Sequence, residues 1–481
     1  MGVDGHRLNP RGRRAAWILL CASAALGAAA WLAVRPDRAI RVATGFTSHT
    51  LCSATFVSGL GPEQVYAETV EPMSRIWLID WALRYGIDRP RRQVRARVAG
   101  GFENRAVYRD GVGCLVVHGA EPPAVAWPES GDAAGQAVAS PAQAMAAPAV
   151  VEPADARLRA ALDRAFAEPA RPPYRRIKAV VVVRDGQIVA ERYAPGHGVE
   201  TPLLGWSATK SILNALVGIL VRQGRLTVEQ PAPVPAWRDP RDPRHAITID
   251  ELLRMTSGLA LEETNSGFDP VTRMLYLERD LAAFAERAHL EAAPGSTWRY
   301  TSGNYQILSR ILRDAVGGHA EDVLRFAWRE LFGPLGMRHV TLEFDSTGTP
   351  LGAAYLFASA RDWARFGQLY LEDGAVNGRR ILPEGWVSYS ASPTPAARGG
   401  YGAGFWTNRG ANEGAARRTR LGLPADSFFA SGLLGQYVVV VPSSRLVIAR
   451  FGVTHRRPGF DIEGLGRLVA DVTAVLSTMT K

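Results

Sequence analysis

The stretch Lys178-Ala179-Val180-Val181-Val182-Val183-Arg184-Asp185-Gly186-Gln187-Ile188-Val189-Ala190-Glu191-Arg192-Tyr193 sets the architecture. Two runs rich in β-branched residues flank Asp185-Gly186, a pair that tolerates the positive φ angles of a two-residue turn, so the segment reads as a β-hairpin. A matching pair of runs lies far along the chain, at 436–441 and 446–451, with Pro442-Ser443-Ser444-Arg445 as the turn between them. Between the two hairpins the pattern is mostly helical. Within 207–222, Ile212, Leu213, Leu216, Ile219 and Leu220 have the spacing of one buried helical face. Thr248 and Glu251 have capping-box spacing for a helix over 249–255, stopped by Thr256-Ser257-Gly258. Further helices are expected over 154–167 and 306–316. The simplest assembly is an α+β fold: one antiparallel sheet built from both chain ends and flanked by helices, with a mostly helical insertion beside it.

At 481 residues, 47% apolar and 21% charged, the chain is longer than one ordinary domain and is neither disordered nor fibrous. The sheet-forming region is expected to occupy 154–481. Residues 121–153 are rich in Ala and Pro with almost no apolar period, the composition of a linker. Residues 38–120 read as a small module that ends in Tyr108-Arg109-Asp110-Gly111-Val112-Gly113-Cys114-Leu115-Val116-Val117 and carries no visible catalytic motif.

Residues 1–37 are expected to form a cytoplasmic tip and membrane anchor. Arg7, Arg11, Arg13 and Arg14 precede an uncharged run over 15–34, which as a helix spans about 30 Å, the thickness of a bilayer core. The basic flank points to the cytoplasm and places the remainder in the periplasm or exterior, anchored in the inner membrane. A cleaved signal peptide, cut near the small residues 28–30, is the runner-up. Cys21 within the run reads as apolar filler. Cys52 and Cys114 fall in the exported part, where an oxidising compartment favours a disulfide between them over two buried thiols.

The net charge of +10 is scattered, without an aromatic-interleaved patch, zinc-finger spacing or lysine run, so nucleic acid is not an expected partner. The cations are arginine almost throughout: among 56 basic residues only Lys178, Lys210 and Lys481 are lysines. Lysine differs from arginine in being able to lose its proton near neutral pH when desolvated. Lys481 is terminal and Lys178 precedes a strand, which leaves Lys210 to explain.

In Trp206-Ser207-Ala208-Thr209-Lys210 a hydroxyl and an amine stand three residues apart at a helix start, on one face. A serine is a weak nucleophile until a neighbouring base takes its proton, and the helix N-terminus favours the negative charge that develops. The bland alternative is an N-cap serine with a surface lysine.

A second segment, Ala293-Pro294-Gly295-Ser296-Thr297-Trp298-Arg299-Tyr300-Thr301-Ser302-Gly303-Asn304-Tyr305, puts a phenol and a hydroxyl just before a helix. A Tyr300 phenolate held near a lysine is a competent general base; a buried tyrosine tying down its loop is the alternative.

A third segment, Phe429-Ala430-Ser431-Gly432-Leu433-Leu434-Gly435-Gln436, leads into the last hairpin. Gly432 on an edge strand lets a substrate approach, and the N–H near Leu433 can pair with that of Ser207 as an oxyanion hole; otherwise the segment is a bulge. His455, after the last strand and beside Arg456 and Arg457, reads as a surface histidine with an approach to the cleft as the alternative, and Trp206 and Trp406 read as simple core with a pocket lining as the alternative. No Gly-x-Ser-x-Gly elbow, His-Glu-x-x-His motif or phosphate-loop lysine is found, so no metal or nucleotide cofactor is expected.

In this order the three segments resemble the serine β-lactamase and penicillin-recognising superfamily, specifically the class C-like branch with esterases and 6-aminohexanoate-dimer hydrolases. The resemblance covers about 155–475 and includes Leu252-Leu253-Arg254-Met255-Thr256-Ser257-Gly258-Leu259, Leu335-Gly336-Met337, Ser359-Ala360-Arg361-Asp362-Trp363-Ala364-Arg365-Phe366-Gly367 and Ile381-Leu382-Pro383-Glu384-Gly385-Trp386. It implies Ser207 as acylated nucleophile, Lys210 as its proton partner, Tyr300 as general base and then acid, and Ser302 donating a hydrogen bond near the lysine.

β-Lactamases and transpeptidases place Lys or His ahead of a Gly in the third segment, to help hold a substrate carboxylate. Here Ser431, Leu433 and Leu434 stand there, which points to a small amide or ester as substrate. A D-Ala-D-Ala peptidase or transpeptidase and a non-catalytic penicillin-binding-type module are the alternatives.

Overall fold

The computed structural model describes residues 35–73, 75–120, 149–455 and 460–478, with the isolated positions 17, 19, 21, 23 and 125. Helix α1 (Pro36–Phe56) opens on a proline, whose fixed φ suits a first helical turn. It lies across an antiparallel meander of β1 (Leu83–Asp88), β2 (Gln93–Val98), β3 (Gly101–Arg109) and β4 (Gly113–Val116). Cys52 of α1 and Cys114 of β4 are joined as a disulfide, with their Cα atoms 6.1 Å apart.

This module is docked on the remainder of the chain through a buried acid. The Glu343 carboxylate meets His49 Nε2 at 2.8 Å and accepts from Ser53 Oγ at 2.7 Å and from the Cys114 N–H at 2.7 Å. Small residues permit the approach: a Cβ on Gly45 would come within 2.9 Å of Tyr276 Cβ, and one on Gly113 within 2.6 Å of Glu343 Oε1.

Helix α2 (Ala156–Phe166) begins at Asp155, whose carboxylate accepts from the Arg157 N–H. The first hairpin follows as β5 (Ile177–Arg184) and β6 (Gln187–Tyr193), with Asp185 and Gly186 at φ 48° and 77° in the turn. β7 (Leu203–Leu204), β8 (Val340–Leu342) and β9 (Leu356–Ala358) form a small sheet in the order β7-β9-β8, and β10 (Ala375–Val376) with β11 (Arg379–Arg380) a short hairpin.

The central antiparallel sheet joins β5 and β6 to β12 (Trp406–Thr407), β13 (Phe428–Gly432), β14 (Gln436–Val441) and β15 (Leu446–Gly452) in the order β12-β13-β14-β15-β5-β6. β15 pairs with β5, so both ends of the region meet at its centre, as the two hairpins predicted.

Both faces of this sheet are covered, which is why Val180–Val183 is an unbroken apolar run rather than an alternation. Val180, Val182 and Ile448 pack in one core with α2 and the C-terminal helix, while Val181, Val183 and Val447 face a larger core that contains the helix carrying Trp363 and Phe366. The capping box at Thr248 and Glu251 is formed, and it opens the helix Ile249–Arg254.

One expectation is corrected. No helix among the described residues is long and apolar enough to cross a membrane. The anchor read over 15–34 lies outside the described residues apart from isolated positions, as does the signal peptide read over the same segment. The inner-membrane placement and exterior-facing orientation rested on that anchor and fall with it. Most of the linker read over 121–153 is likewise outside the described residues.

Candidate active site

Ser207 lies in a single 3-10 turn, Trp206–Ala208, that feeds helix α3 (Thr209–Arg222). The helix proper therefore starts two residues later than the apolar period suggested. Trp206 has φ 46°, a left-handed conformation that is strained for a bulky residue and persists only where packing enforces it. Its ring stacks on Phe46 of α1 at 6.3 Å and leans on Tyr355 at 5.4 Å. Helix α3 is fixed behind the turn. Ser211 Oγ donates to the Gly404 carbonyl at 2.6 Å, Asn214 Nδ2 donates to the Ala403 carbonyl at 2.8 Å, and Asn214 Oδ1 accepts from Tyr370 and Trp386.

Lys210 is 1% exposed. Its Nζ stands 2.8 Å from Ser207 Oγ, 3.0 Å from Ser302 Oγ and 2.8 Å from the Ala353 carbonyl oxygen, three acceptors for three ammonium protons. Burial disfavours the charged form and draws the amine from 10.5 down to about 8, opposed in part by Glu263. The Glu263 carboxylate thus moderates the shift without cancelling it.

Tyr300 lies beside the amine, its ring centroid 5.1 Å from Lys210 Nζ. Although part of the side chain faces the cavity, desolvation pushes the phenol well above its usual value; Tyr401 and Glu263 push the same way, and a hydrogen bond with Ser207 opposes them. The ring is wedged against Trp406, stacked at 5.8 Å, and Tyr401, edge-on at 5.9 Å.

Ser302 is the first residue of helix α4 (Ser302–Val316), which begins four residues before the amphipathic pattern at Gln306. The Thr301 side chain caps it by accepting from the Gly303 N–H, a contribution that period-counting does not register. The Ser302 N–H donates to Glu263 Oε2 at 2.5 Å. Glu263 was not singled out from the sequence, because it sits in an irregular stretch, Leu261-Glu262-Glu263-Thr264, with no period or motif to mark it.

The third segment closes the site. β13 ends at Gly432, and a Cβ there would lie 2.0 Å from the Gly205 carbonyl oxygen, so the strand end presses on the turn that presents Ser207. Ser207, Tyr300, Ser302, Ser431, Gly432 and Leu433 all line one cavity of about 810 Å³. Trp206 and Trp406 line it too, Trp206 while also packed into the core and Trp406 against its edge. His455 does not line it: its Nε2 meets the Glu68 carbonyl at 2.8 Å. Less expected is the opposite wall, built from α1 and the Met73–Ile79 region, so the module without a catalytic motif forms part of the site.

An α+β domain whose antiparallel sheet is covered on both faces, with Ser207, Lys210 and Tyr300 gathered beside one cavity, fits the class of serine hydrolases. The chain belongs to the Beta-lactamase family, whose family model matches residues 120–473. It is similar to the 6-aminohexanoate-dimer hydrolase of Paenarthrobacter ureafaciens, 24% identical over 225 residues, which is 44% of this chain and 55% of that one. The chain thus matches about half the length of that relative. Among solved structures it resembles a penicillin-binding protein homolog from Caulobacter crescentus (TM-score 0.52, 18% identity, 68% of this chain and 99% of that one). It also resembles a family VIII carboxylesterase (TM-score 0.52, 16% identity, 67% and 98%). At these identities the structural likenesses speak for the fold.

Proposed function

We propose that this protein hydrolyses an amide or ester through an acyl-enzyme on Ser207. The observation that carries the reading is the fully buried Lys210 amine, 2.8 Å from Ser207 Oγ and drawn down to about 8. At pH 7 about a tenth of such an amine is unprotonated, far more than for an ordinary lysine, and an unprotonated Nζ accepts the Ser207 proton as Oγ attacks the carbonyl carbon. The N–H groups of Ser207 and Leu433 then receive the oxyanion.

Tyr300 takes the acid role. Its raised phenol is protonated at working pH, which disfavours a resting phenolate base and suits proton donation to the leaving amine or alcohol. The proton held by Lys210 returns to Tyr300, and Ser302 and the Ala353 carbonyl hold the amine in place meanwhile. Water attacks the acyl-enzyme by the same steps in reverse, releasing the carboxylic acid and restoring Ser207.

The cavity walls favour an uncharged substrate over a cell-wall peptide. Its charged lining residues are Arg75, on the wall opposite the nucleophile, and Glu263, which disfavours a carboxylate near Lys210. The non-catalytic alternative is opposed by the intact Ser207, Lys210 and Tyr300 constellation. The test is covalent labelling by a fluorophosphonate: the wild type is labelled and Ser207→Ala is not, whereas labelling that persists in the variant overturns the reading.

A further inference from the structure

We infer that residues 36–79 form the acyl-binding half of the active site, and that the substrate is an ester or amide of a long apolar acyl chain taken up at a lipid surface. The inference rests on Ser207 being the nucleophile.

The cavity that holds Ser207 continues away from it along Phe46, Ala43, Ala39 and Ile40 of α1 and reaches Ile76 and Leu78. That wall contributes apolar side chains almost alone, and the volume of about 810 Å³ lies toward the upper end of the range of about 300–1,000 Å³ for small-molecule pockets. A 6-carbon amide fills little of such a space. An extended alkyl chain matches it, because burying each methylene gains about 0.8 kcal/mol.

The assignment to the acyl side follows from which wall is apolar. Tyr300, proposed to face the departing group, lines the cavity packed against Tyr401 and Trp406, whereas the continuous apolar wall of α1 begins at Phe46, which stacks on Trp206 next to Ser207.

The wall is also fixed. The disulfide from Cys52 to Cys114 and the Glu343 anchor to His49, Ser53 and the Cys114 N–H hold α1 against the catalytic region, so this half of the pocket is built in rather than induced.

At its outer end the same wall turns apolar side chains to solvent. Leu78 and Phe268 line the cavity and are 51% and 48% exposed, and Trp77 and Trp81, which flank Leu78, are 69% and 77% exposed. Exposed tryptophans beside a cavity mouth cost solvation in water and are stabilised at a bilayer interface, where their amphipathic rings sit at headgroup level. Arg75, exposed and stacked over the Phe268 ring at 5.3 Å, adds a cation at headgroup depth.

The test uses the full-length protein and a series of p-nitrophenyl esters from acetyl to hexadecanoyl, with fluorophosphonate labelling as a separate measure of the nucleophile. kcat/KM is expected to rise at least tenfold from the acetyl to the decanoyl ester, and Ala43→Trp and Ala39→Trp, which fill the chain's path, each lower the decanoyl-to-acetyl ratio at least tenfold. A flat or falling profile, or a ratio unmoved in both variants, overturns the acyl-wall assignment while labelling still reports on Ser207. For the lipid surface, Trp77→Ser/Trp81→Ser is expected to lower co-flotation with phosphatidylcholine–phosphatidylglycerol vesicles at least fivefold; equal flotation of wild type and variant overturns that part. If Ser207 is not labelled at all, the failure belongs to the hydrolase reading.

Discussion

The pH dependence of acylation follows from the setting of Lys210. With the amine near 8, about 1% of it is neutral at pH 6 and about 90% at pH 9, so an acylation rate that requires the free amine climbs about ninetyfold across that interval, roughly tenfold per pH unit at first and then to a plateau. The assay is single-turnover acylation by a p-nitrophenyl ester, with the Ser207→Ala blank subtracted at each pH to remove hydroxide-driven hydrolysis.

The same burial has a signature in stability. The folded-state value lies below the ordinary 10.5, so between about 8 and 10.5 the unfolded chain binds more protons than the folded one and stability rises with pH. Below that window the charged amine costs the folded state about 3 kcal/mol. Urea titrations of the wild type minus those of Lys210→Met isolate this contribution, and the difference should grow in favour of the wild type as pH rises through the window. A rate that is level between pH 6 and 9, or a limb with its midpoint above 10, refutes the assignment of Lys210 as the base.

Two further outcomes are expected. Tyr300→Phe keeps the ring stacked on Trp406 and removes only the proton, so kcat should fall by about a hundredfold or more for an anilide and by far less for a nitrophenyl ester, whose leaving group needs no proton; equal losses on both substrates argue against the acid role. Glu343→Ala strips the acceptor from Ser53 Oγ and the Cys114 N–H and the partner from His49, all buried, at a cost of about 3–5 kcal/mol. Calorimetry should then show Tm lower by roughly 3–5 °C, and an unchanged Tm would mean that the N-terminal module is not anchored there.

Much was legible in the sequence because its causes are local. The β-branched runs around Asp185-Gly186 and at 436–451 dictate hairpins through backbone sterics, and a capping box at Thr248 or a three-residue Ser207–Lys210 spacing at a helix start needs nothing beyond helix geometry. The scarcity of lysine marked Lys210 before any partner was known. Local signals also have a limited range, as the start of α4 shows: capped by Thr301, the helix begins at Ser302, four residues ahead of the apolar period, and the side-chain hydrogen bond that extends it leaves no periodic trace.

Only the tertiary structure decided how burial shifts Lys210 and Tyr300 and who shares the cavity. Desolvation depends on every atom packed around a group, so neither the drop at Lys210 nor the rise at Tyr300 is written in their spacing, and the rise is what favours the acid role proposed for Tyr300 over a resting phenolate. The same holds for the N-terminal module. Its link to the site runs from Phe46 to Trp206 and from Ser53 to Glu343, residue pairs separated by 160 and 290 positions, and contacts at that distance are chosen by the fold as a whole. The sequence marked Ser207 and Lys210 and the sheet behind them; the packing of α1 over that turn gave the cavity its apolar wall.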